Sequence, residues 1–162
     1  MSERIIALFE NFPPELATFL ISMIPVVEVR GALPFAITQG IPIPLAMLLA
    51  ILGNIFPVIF IVLGLEKVSD FLIKRSKLAE RFFNWLFERT RKKLSASYQK
   101  WGCMALMLFV AIPLPVTGAW TGSVGAYLFE IPAKKAFAYI TAGVVIASVI
   151  VLILTKGIQH IL

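Results

Sequence analysis

The chain has 162 residues, of which 59% are hydrophobic and 15% are charged, and its formal net charge is +6. Soluble domains contain about 45 to 50% apolar and about 25% charged residues, so this composition indicates an integral membrane protein. With one cysteine and one histidine, the sequence predicts neither a disulfide framework nor a Cys/His metal site. We therefore expect no metal and no cofactor.

The first half of the chain predicts a helix too short to cross a bilayer. Residues 14–24 are about 17 Å long as a helix, roughly half of a hydrocarbon core. The run Pro25-Val-Val-Glu28-Val-Arg30-Gly31-Ala-Leu-Pro34 follows and predicts a break between two short helices, because prolines remove backbone donors.

Glu28 and Arg30 are the main site candidates in this break. Ionised groups at membrane depth cost about 2.5 to 3.5 kcal/mol on insertion scales, so they are retained when paired, hydrated or used. The alternative is an ordinary spanning helix in which the two charges neutralise each other. Because residues i and i+2 lie on different faces of a helix, direct pairing would require the helix to open.

A charge-free run at residues 45–65 then predicts a spanning helix, after turn signals at Gly40, Pro42 and Pro44. Asn54 lies inside it, and its amide either hydrogen-bonds a neighbouring helix or contacts a substrate or ion.

Residues 66–101 carry ten Lys or Arg against four acids. They predict an amphipathic helix on the membrane surface, on the cytoplasmic side by the positive-inside rule. No recognition motif suggests a nucleic-acid partner.

The second half repeats this order. Residues 102–112 are again apolar and short. A neutral break rich in glycines and hydroxyls follows, which would offer backbone and Thr donors: Pro113-Leu-Pro115-Val-Thr117-Gly118-Ala-Trp120-Thr121-Gly122-Ser123-Val-Gly125. Gly118 and Gly122 are four positions apart, and this spacing is at least as consistent with close helix packing as with direct contact to a ligand. Residues 136–155 form the last apolar span.

Several positions match between the halves: Ile24-Pro25 with Ile112-Pro113, Ile41-Pro42 with Ile131-Pro132, and Gly53 with Gly143. The predicted fold is therefore an all-α integral membrane protein, a single domain over residues 1–162. It contains an inverted repeat of two units, 14–65 and 102–157, each a re-entrant helical hairpin plus one transmembrane helix, joined by the basic connector 66–101. We expect location in the cytoplasmic membrane, with both termini outside.

At Glu28-Val-Arg30-Gly31-Ala-Leu-Pro34 and Pro113-Leu-Pro115-Val-Thr117-Gly118-Ala-Trp120-Thr-Gly122, the chain resembles the small multidrug export protein family. That family in turn is similar to the DedA / VTT membrane proteins. The first resemblance implies drug efflux. The second implies two facing re-entrant hairpins, lipid scrambling or polyprenyl-phosphate recycling, and functional roles for an acid and an arginine, here Glu28 and Arg30.

The leading functional hypothesis is a transporter or flippase for an amphiphile with an anionic headgroup, such as a polyprenyl phosphate or a phospholipid. Arg30 would bind the phosphate and Glu28 would exchange a proton. The alternatives are a proton-coupled exporter of hydrophobic cations and a non-transporting membrane assembly protein.

We expect no enzyme activity, since no nucleophile and base pair is evident. The expected partners are the lipid bilayer, the substrate, protons and a second copy in a homodimer. The predicted substrate and proton site comprises Glu28, Arg30, Gly31, Pro34, Asn54, Pro113, Pro115, Thr117, Gly118, Trp120, Thr121 and Gly122.

Overall fold

A computed structural model of the chain describes residues 12–114 and 117–161. Within these residues the protein consists of helices and turns and contains no strand, which confirms the all-α prediction for this part of the chain. The helices are α1 (Pro14–Met23), α2 (Glu28–Thr38), α3 (Ile43–Arg75), α4 (Lys77–Trp101), α5 (Cys103–Ala111), α6 (Ala119–Leu128) and α7 (Ala133–Ile161).

Prolines end the short helices α1 and α5. Ile24 and Ile112, which follow these helices, have ψ angles of 126° and 113°. A residue before proline is pushed to such extended values because the proline ring clashes with a helical backbone there. The predicted half-length helices followed by breaks are therefore present, with ten residues in α1 and nine in α5.

Both breaks are shorter than the sequence predicts. The first was expected over residues 25–34, but α2 already begins at Glu28. Pro34 lies inside α2, where it omits one backbone hydrogen bond without ending the helix, whose next two residues, Phe35 and Ala36, are buried. The second was expected to reach residue 125, but α6 begins at Ala119. Residues 120–125 are therefore helical.

The long helices α3 and α7 each contain a segment able to cross a bilayer. The segments are Ile43–Leu65 with 23 residues and Ala133–Gly157 with 25. At 1.5 Å per residue, the shorter one is about 35 Å long, against a hydrocarbon core of about 30 Å. Only 33% of each apolar window is buried inside the protein, and Phe60 and Leu63 are 63% and 68% exposed. A core helix of a soluble protein would be mostly covered, so these surfaces indicate contact with lipid.

The basic connector is not one helix. We expected a change of element at residue 66, yet α3 continues without interruption to Arg75, because residues 65–75 contain no glycine or proline that would end the helix. The helix ends at Ser76, whose extended backbone (ψ 122°) turns the chain and whose hydroxyl accepts a hydrogen bond from the Ala79 N–H at 3.4 Å. The separate amphipathic helix is α4.

The two halves share local geometry at positions 90 residues apart. Residues 41–50 and 131–140 follow the same order of buried, half-buried and exposed positions. The turns before them both contain a residue with positive φ, Gly40 at +77° and Glu130 at +52°. The same hydrogen bond closes both turns, from Ile41 N–H to Ala36 O at 3.0 Å and from Ile131 N–H to Ala126 O at 2.9 Å.

Each short helix packs on the long helix of its own half through a glycine. A Cβ atom at Gly53 of α3 would collide with the carbonyl oxygen of Phe19 in α1. A Cβ atom at Gly143 of α7 would lie 2.7 Å from the carbonyl oxygen of Met107 in α5. These glycines, 90 positions apart, let helix backbones touch, and they fix both helix breaks against the long helices.

Candidate functional site

The two helix breaks meet at Glu28 and Arg30. Both residues lie in the first turn of α2, directly after the first break, and both contact the backbone of the second break or of the first turn of α6. Their partners are 84 to 92 residues away in sequence. The junction therefore joins the two halves of the molecule by polar contacts between otherwise apolar helices.

Arg30 donates hydrogen bonds to three acceptors. Its Nη1 donates to the carbonyl oxygen of Leu114, and its Nη2 donates to the carbonyl oxygen of Thr117. Nη2 also donates to Oε2 of Glu28 at 3.0 Å, which forms an ion pair. The planar guanidinium has five donors in fixed directions, so one side chain can bridge the breaks while it pairs with a carboxylate.

Glu28 is 3% exposed and reaches Arg30 because the helix begins at this residue. Its φ angle of +49° lies in the left-handed region, so the side chain does not point as it would inside a helix. Glu28 and Arg30, two positions apart, pair directly because the backbone at Glu28 is not helical. The sequence predicted that direct pairing would require such an opening of the helix.

The other side of the Glu28 carboxylate faces the N-terminus of α6. Oε1 accepts a hydrogen bond from the Trp120 N–H at 3.4 Å, and the Ala119 N–H also faces the carboxylate. The first N–H groups of a helix have no partner within it and favour an anion. The carboxylate lies directly over Gly118, where a Cβ atom would collide with it, and Gly118 has a φ of +148°.

Trp120 adds a second contact between the halves. Its indole N–H donates to the carbonyl oxygen of Met23, the last residue of α1, at 3.1 Å. The indole therefore belongs to the wall of the junction. The last turn of α1 leaves carbonyl groups unpaired, and this bond satisfies one of them.

A small cleft opens beside the ion pair. It is lined by Glu28, Val29, Arg30, Asn54, Val110, Pro113, Val144 and Ala147. The space free for the centre of a water molecule is about 10 Å³, which matches a single water site. Asn54 is 1% exposed, and its Oδ1 has no hydrogen-bond partner. A drug-sized or lipid headgroup does not fit the cleft in this conformation.

The structure brings together most, but not all, of the predicted site residues. Those at the junction are Glu28, Arg30, Asn54, Pro113, Thr117, Gly118 and Trp120. Gly122 instead packs on α5, since a Cβ atom there would lie 2.6 Å from a methyl carbon of Val110. A Cβ atom at Gly31 would meet the side chain of Val27. Pro34 and the half-buried Thr121 do not line the cleft, and they form no hydrogen bond with the ion pair. Pro115 lies outside the described residues.

The Thr117 hydroxyl of the second break and the Ser123 hydroxyl of α6 are not free for a ligand. The Thr117 hydroxyl donates to the carbonyl oxygens of its own loop, at 2.8 Å from Ile112 O and from Leu114 O. The Ser123 hydroxyl donates to Ala119 O at 2.7 Å. We expected this break to offer backbone and Thr donors. Its backbone carbonyl oxygens accept hydrogen bonds from Arg30, whereas the Thr117 hydroxyl donates to carbonyl oxygens of its own loop.

Sequence reasoning missed the backbone carbonyl of Leu114 and the amide groups at residues 119 and 120. A signal for the carbonyl was present, because Pro113 and Pro115 prevent a regular helix at Leu114, whose carbonyl therefore lies outside helical pairing. A half-buried arginine such as Arg30 is a suitable donor for such groups. No comparable signal marked the amides, since the start of α6 is not apparent from the sequence.

Comparison with known families adds the second line of evidence. The model of the family described as "Putative small multi-drug export protein" matches residues 28–150, about three quarters of the chain. The chain belongs to this family. The match begins at Glu28 and covers α2, the second break, α6 and most of α7, so it includes Glu28 and Arg30 and leaves out α1 and the first break. No match is found among curated proteins or among solved structures.

Family membership and the two exposed apolar helices together indicate a membrane location. Among the described residues of this small multidrug export family member, no three His, Cys, Asp or Glu side chains come together as metal ligands would. The polar groups at the junction are one carboxylate, one guanidinium, one amide, the Thr117 hydroxyl, the Trp120 indole N–H and the surrounding backbone groups.

Proposed function

We propose that this member of the small multidrug export family is a membrane transporter whose substrate is an amphiphile with an anionic headgroup. The two pairs of short helices, α1 with α2 and α5 with α6, are re-entrant hairpins that enter from opposite sides of the bilayer. The shared geometry of the halves supports this arrangement. Glu28 and Gly118, which are 90 positions apart, also lie against each other, as equivalent residues do beside a two-fold axis.

One observation carries the proposal: the Glu28 carboxylate already occupies a cradle suited to an anion. The cradle consists of the Arg30 guanidinium and the N–H groups of residues 119 and 120. A phosphate oxygen makes the same demands on its surroundings as a carboxylate oxygen, since both are charged acceptors. Glu28 therefore stands where the headgroup of a substrate would bind.

The exchange of these two anions supplies a mechanism with proton coupling. When Glu28 takes up a proton, it loses its charge and much of its attraction to Arg30, and it can leave the cradle. The anionic headgroup then binds Arg30 and the helix N-terminus, and the total charge at the junction is unchanged. When the headgroup leaves, Glu28 releases its proton and returns.

Because the cleft is only large enough for about one water, the present conformation is the closed one. Opening requires the breaks to separate, which breaks the Arg30 contacts to Leu114 and Thr117. The apolar tail of the substrate stays in lipid, so only the headgroup has to cross the junction.

Binding measurements across pH test this exchange. Purified protein in nanodiscs is titrated with a short-chain phosphodiester amphiphile, whose charge is constant between about pH 5 and pH 8. We expect tighter binding to the wild type as the pH falls, because a protonated Glu28 no longer competes for the cradle. Glu28→Gln should bind the phosphodiester equally well across this pH range, and Arg30→Gln should not bind it. Equal binding by all three proteins would reject the site.

The family description names drug export. From it we take a second candidate, in which the drugs are hydrophobic cations exported in exchange for protons. Here Glu28 would be the counter-ion. The electrostatics are less favourable, since the guanidinium 3.0 Å from the carboxylate repels a second cation. An alkyltrimethylammonium with the same tail length separates the candidates: it should bind more tightly at high pH if Glu28 is its counter-ion, and it should not bind if the cradle accepts anions.

The remaining expectations stay proposals. These are a relation to the DedA / VTT proteins, the absence of enzyme activity, and a homodimer that shields the breaks from lipid. A non-transporting assembly protein would have no need of an ion pair with a buried carboxylate that links the two halves. Transport assays on the variants above therefore also test that alternative.

A further inference from the structure

Asn54 is the unexplained polar group at the junction. It lies within the membrane-crossing part of α3, it is 1% exposed, and its Oδ1 accepts no hydrogen bond. Buried polar atoms are nearly always paired, with protein or with ordered water, because an unpaired one is unfavourable away from water. An unpaired Oδ1 beside a cleft with space for about one water therefore points to an occupant.

Packing alone does not require an amide at this position. The residue 90 positions later is Val144, which is also buried and lines the same cleft from α7. An aliphatic side chain thus fills the equivalent place in the second half. The amide of Asn54 is a departure from the shared geometry of the halves, and it faces the ion pair.

The chemistry of the lining residues selects the occupant. Asn54 Oδ1 and the Glu28 carboxylate are acceptors, so the occupant must donate two hydrogen bonds. A water molecule does this and fits the volume. A metal cation would find few oxygen ligands here and would lie close to the Arg30 guanidinium, which also lines the cleft.

We propose that the cleft binds one water molecule that bridges Asn54 and Glu28, and that Asn54 is thereby a positioning residue for the exchange of the Glu28 proton. The water site stands on the cleft alone, whereas the role of Asn54 rests on the proposed function. The water gives Glu28 a partner for proton transfer in a junction that is otherwise closed.

Arg30 is the charged group that faces Glu28 among the described residues. The other elements packed around the carboxylate contribute groups that do not titrate: the N–H groups of Ala119 and Trp120 from α6, Asn54 from α3, Val110 from α5, Pro113 from the second break, and Val144 and Ala147 from α7. A change in proton exchange after substitution of Asn54 therefore reports on the water and not on another acid.

Two variants of the same shape provide the test. Asn54→Val removes the acceptor and copies the residue of the second half, whereas Asn54→Thr has the shape of valine and keeps an oxygen. Infrared difference spectra between acidic and alkaline samples in nanodiscs report the carboxyl band of Glu28, which is assigned by its loss in Glu28→Gln. Thermal unfolding monitors whether each variant folds.

We expect Asn54→Val to shift the Glu28 carboxyl band to higher frequency and to slow its hydrogen–deuterium exchange, because the carboxyl group loses its water. Asn54→Thr should keep the band and the exchange rate of the wild type. A band and an exchange rate unchanged in a folded Asn54→Val protein would overturn the water site. If the band shifts but Glu28→Gln binds the phosphodiester with unaltered pH dependence, the water site stands and the proposed function fails.

Discussion

Arg30 donates hydrogen bonds to backbone carbonyls that lie outside the helices. The second break contains prolines at 113 and 115, and the carbonyl oxygens of Leu114 and Thr117 accept hydrogen bonds from the guanidinium. The same side chain neutralises Glu28, which is buried beside it. The ion pair therefore has a structural role and a chemical role at once, and a substitution of Arg30 affects both.

Arg30→Lys separates the charge of this residue from its geometry. Lysine keeps the positive charge but cannot reach three acceptors in one plane. We expect a loss of about 1.5 to 3 kcal/mol of stability for each contact that is not replaced, since hydrogen bonds to charged groups contribute about this much. Thermal unfolding in detergent measures the loss.

The control for this substitution is Lys92→Ala, which removes the exposed ion pair with Glu88 at 2.7 Å on α4. Water screens this pair, so the unfolding temperature should not change. Equal unfolding temperatures for Arg30→Lys and the wild type would contradict the bridging role of Arg30.

Gly118→Ala tests the contact between the carboxylate and the second break. A Cβ atom would collide with the Glu28 carboxylate, and the φ of +148° is unfavourable for alanine by about 1 to 3 kcal/mol. We expect loss of phosphodiester binding together with lower stability.

Gly102→Ala is the matched control for this position. Gly102 also has a positive φ, +54°, but nothing lies within 4 Å of the Cβ position. Its substitution should lower stability by backbone strain alone and leave binding intact. The same binding defect in both variants would show that the collision with Glu28 is not the cause.

At the scale of the helices, the sequence predicted where α1 and α5 end but not where α2 and α6 begin. The Ile-Pro pairs end helices by a local clash that is apparent from two residues. The start at Glu28 depends on a left-handed φ held by contacts to residues 84 to 92 positions away, which no local pattern contains. Long-range contacts of this kind also placed Thr121 and Gly122 in a helix and away from the cleft.

Gly53→Ala tests how closely α1 and α3 pack. The added methyl group would collide with the Phe19 carbonyl oxygen and lie 3.1 Å from the Ser22 Cβ, so the two helices must separate. Overpacking of this kind costs about 1 to 3 kcal/mol, and we expect a lower unfolding temperature.

Gly64→Ala is the control within the same helix. Nothing lies within 4 Å of its Cβ position, and alanine favours a helix by about 1 kcal/mol relative to glycine. This variant should unfold at the temperature of the wild type or above it. If Gly53→Ala behaved in the same way, the close contact between α1 and α3 would be refuted.

At the scale of the molecule, the proposal requires the two halves to have opposite orientations in the bilayer. The turn at Gln39 should then lie outside the cell and Lys134 inside. Cys103 is the single cysteine of the chain, so Cys103→Ala provides a background for labelling. In that background, Gln39→Cys should react with a membrane-impermeant maleimide in intact cells, and Lys134→Cys only after permeabilisation. Both residues are exposed, so reactivity reports orientation. Labelling of both from one side would exclude an inverted repeat.

Transport in reconstituted vesicles tests the central claim most directly, namely that a headgroup replaces Glu28 on Arg30. Vesicles contain wild type, Glu28→Gln or Arg30→Lys and a fluorescent polyprenyl-phosphate analogue, with and without a pH gradient. Wild type should move the analogue faster with the gradient than without it. Glu28→Gln should move it at the same rate with and without the gradient. Arg30→Lys should move it more slowly than the wild type under both conditions. Transport by both variants at the wild-type rate and with the wild-type response to the gradient would contradict the claim.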